Sequence, residues 1–94
     1  MHCLDISAKI PIDKKIEFDQ SKIEFINGLY KHKGYVSCKE DISQYFNVII
    51  KWQSEEELDN FTSSNLFHYF SGALKAISSD CSVTTYELLQ KTIN

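Results

Sequence analysis

Apolar and polar residues alternate strictly over CLDISAKI, residues 3–10. Leu4, Ile6, Ala8 and Ile10 share one side, and Cys3, Asp5, Ser7 and Lys9 the other. That is the period of a strand with one apolar face. Pro11 ends it, because proline has no N–H to donate to a ladder. From residue 13 to 32 the period lengthens. Ile16, Ile23, Ile26 and Tyr30 recur at helical spacing, with Phe18, Phe25 and Leu29 beside them. The wide stripe predicts a helix lying flat on a sheet. Asp13 is placed to cap its start, and Ser21 with Glu24 offers a later one. Gly28 inside the helix costs about 1 kcal/mol relative to Ala. Lys31, His32 and Lys33 suit the negative end of the helix dipole, and Gly34 suits a C-terminal cap.

The pattern then returns to strands. YVSCKEDI (35–42) and YFNVIIKW (45–52), separated by Ser43-Gln44, predict a hairpin. The second run is rich in β-branched and aromatic residues. It sets Phe46, Val48, Ile50 and Trp52 on one face and Tyr45, Asn47, Ile49 and Lys51 on the other. Ser54-Glu55-Glu56-Glu57 reads as a capping box: Ser54 caps the amide three residues on, and Glu57 reaches back. The three acids also suit the positive helix end. Leu58 and Phe61 mark the buried side. Ser63-Ser64 interrupts, and Phe67, Phe70, Leu74 and Ile77 carry a second helix, with Leu66 and Ala73 widening its stripe. A loop over 78–82, a last strand over 83–89 and a tail over 89–94 complete the chain.

The order β-α-β-β-α-β, with its second helix broken, predicts a ferredoxin-like α+β fold. Two helices would cover one face of a four-stranded antiparallel sheet. The other face would carry Cys3, Asp5, Ser7, Tyr45, Asn47 and Ile49. This mixture suits coverage by a second sheet better than open solvent.

Bulk properties narrow the partners. Ninety-four residues make one domain, 1–94. Net charge is −3 with ten scattered Lys and Arg, so there is no basic stripe for a phosphate backbone and nucleic acid is not an expected partner. No apolar run reaches the length of a membrane span. The alternating start lacks a signal peptide's apolar block, and the expected location is cytoplasmic. Cys3, Cys38 and Cys81 are odd in number and widely spaced, so neither a disulfide framework nor a zinc site is expected. Consecutive Glu55, Glu56 and Glu57 point in different directions around a helix and make no metal cage.

From Trp52 the chain places Leu58, Phe61, Ser64 and Phe67 at six, nine, twelve and fifteen residues. This spacing resembles the signature of the antibiotic biosynthesis monooxygenase family, within the dimeric α+β barrel superfamily. That signature is a strand ending in Trp, a short helix with Ala-Leu, a His, a Ser or Thr, and a Phe opening the next helix. Glu57-Leu58 stands for Ala-Leu here. Phe18, Gly34, the hairpin and the closing strand extend the resemblance over nearly the whole chain. It implies a homodimer in which two sheets face each other, with a pocket in each subunit between sheet and helices. It implies further a monooxygenase working without metal or flavin on a small aromatic substrate, a quinol or phenol. The alternative is a non-catalytic dimeric module for a small apolar ligand or a protein partner. Phe61 stands where family members often carry His, which favours the alternative and argues against haem degradation, since phenylalanine cannot ligate iron.

Candidate pocket residues are Trp52, Phe61, Phe67, Phe70 and Ile50, although such aromatic residues more often belong to a core. His68 can serve as a general base or sit on a helix surface. Tyr45 and Asn47 can hydrogen-bond a ligand or bond across a subunit interface. No metal ligand set and no cofactor is expected.

Overall fold

The computed structural model describes residues 1–42 and 45–88. Strands β1 (His2–Lys9), β2 (Tyr35–Ile42), β3 (Phe46–Trp52) and β4 (Asp80–Glu87) form one sheet in the order β2-β3-β1-β4. All neighbours are antiparallel. Helices α1 (Lys15–Leu29), α2 (Glu55–Thr62) and α3 (Asn65–Ile77) pack on one face. The architecture is the ferredoxin-like β-α-β-β-α-β, with the second helix broken between α2 and α3.

Alternation builds the core. β1 and β3 pair Leu4 with Ile50, Ile6 with Val48 and Ala8 with Phe46, and all six are buried under the helices. Phe18, Phe25 and Leu29 come down from α1, Leu58 and Phe61 from α2, and Phe67, Phe70 and Leu74 from α3. The break is a capping event. Ser64 Oγ accepts from the Phe67 amide at 3.2 Å and donates to the Phe61 carbonyl at 2.5 Å. One side chain thereby ends α2 and starts α3.

The structure corrects several expectations. Ile12–Lys14 forms a 3-10 turn, so Asp13 lies within it and Lys14, without a side-chain bond, occupies the cap of α1. The helix runs unbroken through Ser21 and stops at Leu29. Gly34 is therefore no helix cap. It takes φ +87° at the corner into β2, where its carbonyl accepts from the Gln53 amide at 2.9 Å. β3 starts at Phe46, one residue after the expected Tyr45. Asp80, Cys81 and Ser82 belong to β4, paired with Lys9, Ala8 and Ser7, not to a loop. The turn at 43–44, the last residue of the expected strand 83–89 and the tail over 89–94 lie outside the described residues. The largest correction concerns α1. Ile16, Ile23 and Tyr30 of the expected buried stripe are 74%, 57% and 63% exposed, because Phe18, Phe25 and Leu29 make the contact with the sheet.

Candidate functional site

The end of β3 gathers an aromatic cluster. Trp52 is fully buried and stacks on Phe61, ring centroids 4.6 Å apart and planes 29° from parallel. Tyr35, directly across on β2, meets the indole edge-on at 6.1 Å. Phe61 also touches Phe25 and Phe67, at 5.9 and 5.8 Å. Phe25 in turn stacks on Phe70 at 4.0 Å. Trp52, Ile50, Phe61, Phe67 and Phe70 thus stand in one buried cluster. Phe67, at 9%, is the most exposed of the five.

Among the described residues, two buried polar atoms here have no partner. The buried indole Nε1 of Trp52 meets no acceptor, and the buried Oε2 of Glu57 meets no donor. An unpaired buried polar group costs about 1–3 kcal/mol, so each marks a place where another molecule's atoms would be welcome. The Glu57 amide donates to Ser54 Oγ at 3.2 Å, as the capping box predicts. Its carboxylate instead packs over Gly34, so tightly that a Cβ on that glycine would clash with it.

The candidate polar residues sit elsewhere. Asn47 lies on the sheet face away from the helices. Its Nδ2 donates to Asp5 Oδ1 at 2.7 Å and to Ser7 Oγ at 2.8 Å. Tyr45 is 48% exposed just before β3. His68 is exposed on α3, its ring 6.1 Å from Phe67, and the Ser63-Ser64 break does not turn it inward. The structure therefore brings together the five apolar candidates and leaves the three polar ones outside their cluster.

Sequence reasoning missed His32. From the loop between α1 and β2, its half-buried ring meets Phe61 edge-on at 5.0 Å. Beside helix-ending lysines it reads as a dipole charge. The available signal was Gly34 two residues on, which turns this loop back over α2. Tyr35 was missed likewise. Burial pushes its phenol above the ordinary value of 10.0, and the Cys38 and Tyr30 charges add to the rise. It therefore remains a protonated donor at neutral pH.

Burial likewise pushes up the thiols of Cys38 and Cys81, which suits inert thiols rather than thiolates. Among the described residues no three His, Cys, Asp or Glu side chains converge as a metal site. None of the described helices is long and apolar enough to cross a membrane. A separate open cavity of about 210 Å³ lies between α2 and the β1–β4 strand ends. His2, Glu55, Leu58, Asp59, Thr85, Tyr86 and Glu87 line it.

The chain matches no family model and no curated protein. Solved structures do share its fold. An antibiotic biosynthesis monooxygenase superposes with TM-score 0.83 at 13% identity, covering 96% of this chain and 100% of its own. Rv0793 from Mycobacterium tuberculosis gives 0.85 at 12% identity, covering 98% of each. A variant of SnoaB, a cofactor-independent oxygenase from Streptomyces nogalater, gives 0.81 at 13% identity over 96% and 94%. At such identities the likeness establishes the fold.

Proposed function

We propose that this chain is a homodimeric α+β-barrel protein of the antibiotic biosynthesis monooxygenase type. In this reading it oxygenates a small quinol or phenol at the Trp52 cluster without a cofactor. The observation that carries the reading is the buried, unpartnered Trp52 Nε1–H among stacked aromatic rings. It offers one hydrogen-bond donor inside an apolar wall, the usual make-up of a small-ligand site. The shared fold of SnoaB supports oxygenase chemistry. The substrate supplies the electrons: one atom of dioxygen enters it and the other leaves as water with two substrate hydrogens.

Deprotonating a phenol starts such a reaction, and an imidazole titrates in the right range. His32, in contact with Phe61, is better placed than exposed His68 to take that proton. Tyr35 donates a hydrogen bond, and a ligand enters past Phe67, the least buried of the five. Asn47 and Tyr45 belong to the sheet face on which a second copy packs. There the Asp5–Ser7–Asn47 network satisfies its own polar groups, and half-buried Ile49 and exposed Tyr86 supply apolar contact.

A second reading, a dimeric module that binds an apolar ligand without turning it over, is favoured by Phe61. A hydrocarbon ring fills the space beside Trp52 with no group that exchanges protons. Oxygen uptake with a panel of quinols and hydroxylated polycyclic phenols separates the two. Turnover that falls in His32→Gln and persists in His68→Gln supports the oxygenase. Binding of the panel without uptake leaves the module.

A further inference from the structure

Helix α1 is apolar on two sides. Phe18, Phe25 and Leu29 face the sheet. On the solvent side Ile16, Ile23 and Tyr30 recur every seven residues, and Ile12 precedes them in the 3-10 turn. Ile12 is 93% exposed, whereas Ile26 packs against the core. Residues seven apart line one seam of a helix, the spacing by which two helices interlock. Among the described residues nothing covers Ile16 or Ile23. A barrel built from two sheets leaves the helices on its outside, so the stripe stays bare in the proposed dimer as well.

We propose that this seam is a second interface between copies of this chain, with α1 packed against α1. Three observations favour a second copy over other occupants. The repeat asks for a helix bearing the same repeat, and every copy presents one to its neighbour as an isologous contact. The edges of the seam are compatible with themselves. Lys15 is paired with Asp19 at 3.1 Å and Lys22 with Glu40 at 2.7 Å, each within the chain. Gln20 and Asn27 on the other edge are uncharged, with exposed Glu24 and Lys31 flanking them. A membrane would want unpaired lysines along that edge. The exposed apolar surface is on the order of 500 Å², the upper range for a patch on a monomer. It approaches the roughly 800 Å² per partner of a standard interface once its polar edges join. Asp19, four before Ile23, is the one polar seam position and enters with its own counter-ion, Lys15.

Native mass by light scattering at micromolar concentration tests this. The wild-type assembly is expected to lose half its mass in the Ile16→Glu/Ile23→Glu double variant, with unchanged circular dichroism and melting temperature. Ile12→Glu, outside the helix, is expected to weaken the same association and serves should the double variant unfold. Ile49→Lys, on the sheet face, halves the mass independently. Loss of the sheet dimer is thus read apart from loss of the α1 seam. A wild-type mass of one 10.9 kDa chain, or a mass unchanged in both seam variants, overturns the proposal.

Discussion

The Trp52 indole lies flat against Phe61 with centroids 4.6 Å apart, while its own N–H finds no acceptor among the described residues. The apolar part of the side chain is fully used and its polar atom is not. In a structural tryptophan the N–H usually finds a partner when buried. Trp52→Phe therefore separates packing from recognition. It is expected to leave stability within about 1 kcal/mol of wild type, because the lost ring area is offset by removing an unsatisfied donor. Ligand affinity should fall by about tenfold, the worth of one net hydrogen bond. Chemical denaturation and ligand titration on one preparation read both effects.

Gly34 and Glu57 form a second dependent pair. Gly34→Ala forces an L side chain to φ +87° and into the Glu57 carboxylate. The backbone term alone costs about 1–2 kcal/mol, and the clash adds to it. Glu57→Ala in the Gly34→Ala background should recover part of the loss, and a thermodynamic cycle measures the coupling. Gly28→Ala meets only the end of the Leu66 side chain, at 2.6 Å. That chain can swing, so the gain in helix propensity of about 1 kcal/mol is partly realised.

Ser54 and Ser64 cap α2 and α3 with bonds of 3.2 Å each. Ser→Ala at either position should cost about 1 kcal/mol. Ser64→Ala is expected to exceed Ser54→Ala, because its hydroxyl also serves the Phe61 carbonyl. Denaturant midpoints of the two variants give the order directly.

Stability should fall in alkali. Cys38 and Cys81 are raised from 9.0, and Tyr35 and Tyr86 from 10.0, in each case mainly by burial. A raised acid holds its proton longer in the folded state. Above its unfolded pKa the unfolded chain therefore binds fewer protons, and stability declines with rising pH. The decline begins near pH 9 with the thiols and continues through the phenols. Cys38→Ala should make the first part shallower, as urea midpoints from pH 7 to 11 would reveal.

Much of this architecture could be read from residue patterns. Strict alternation in 3–10 and 45–52 placed Leu4, Ile6, Val48 and Ile50 on the core side, since one strand register leaves no other choice. The cap at Ser54 and the break at Ser63-Ser64 followed from short-range hydrogen bonding alone. α1 was harder. Two apolar stripes share its surface, and periodicity identifies stripes without saying which one meets the sheet. Asp80–Ser82 look like a loop by composition, yet antiparallel pairing with β1 holds them extended. At the site, the apolar members shared a motif, whereas His32 and Tyr35 reach Phe61 and Trp52 only through a turn at Gly34. Contacts made across such a turn leave no regular spacing in the chain.

Trp52 is the single tryptophan of the chain, so its fluorescence reports on the proposed site alone. The most direct measurement titrates wild-type protein anaerobically with 1,4-dihydroxynaphthalene while following that emission, with His32→Gln in parallel. Saturable quenching with a shifted emission maximum is expected in both proteins. On admitting air, catalysed oxygen uptake should follow in the wild type and fall at least tenfold in the variant. Unchanged emission at saturating quinol, with no uptake above the uncatalysed rate, would contradict the proposed function.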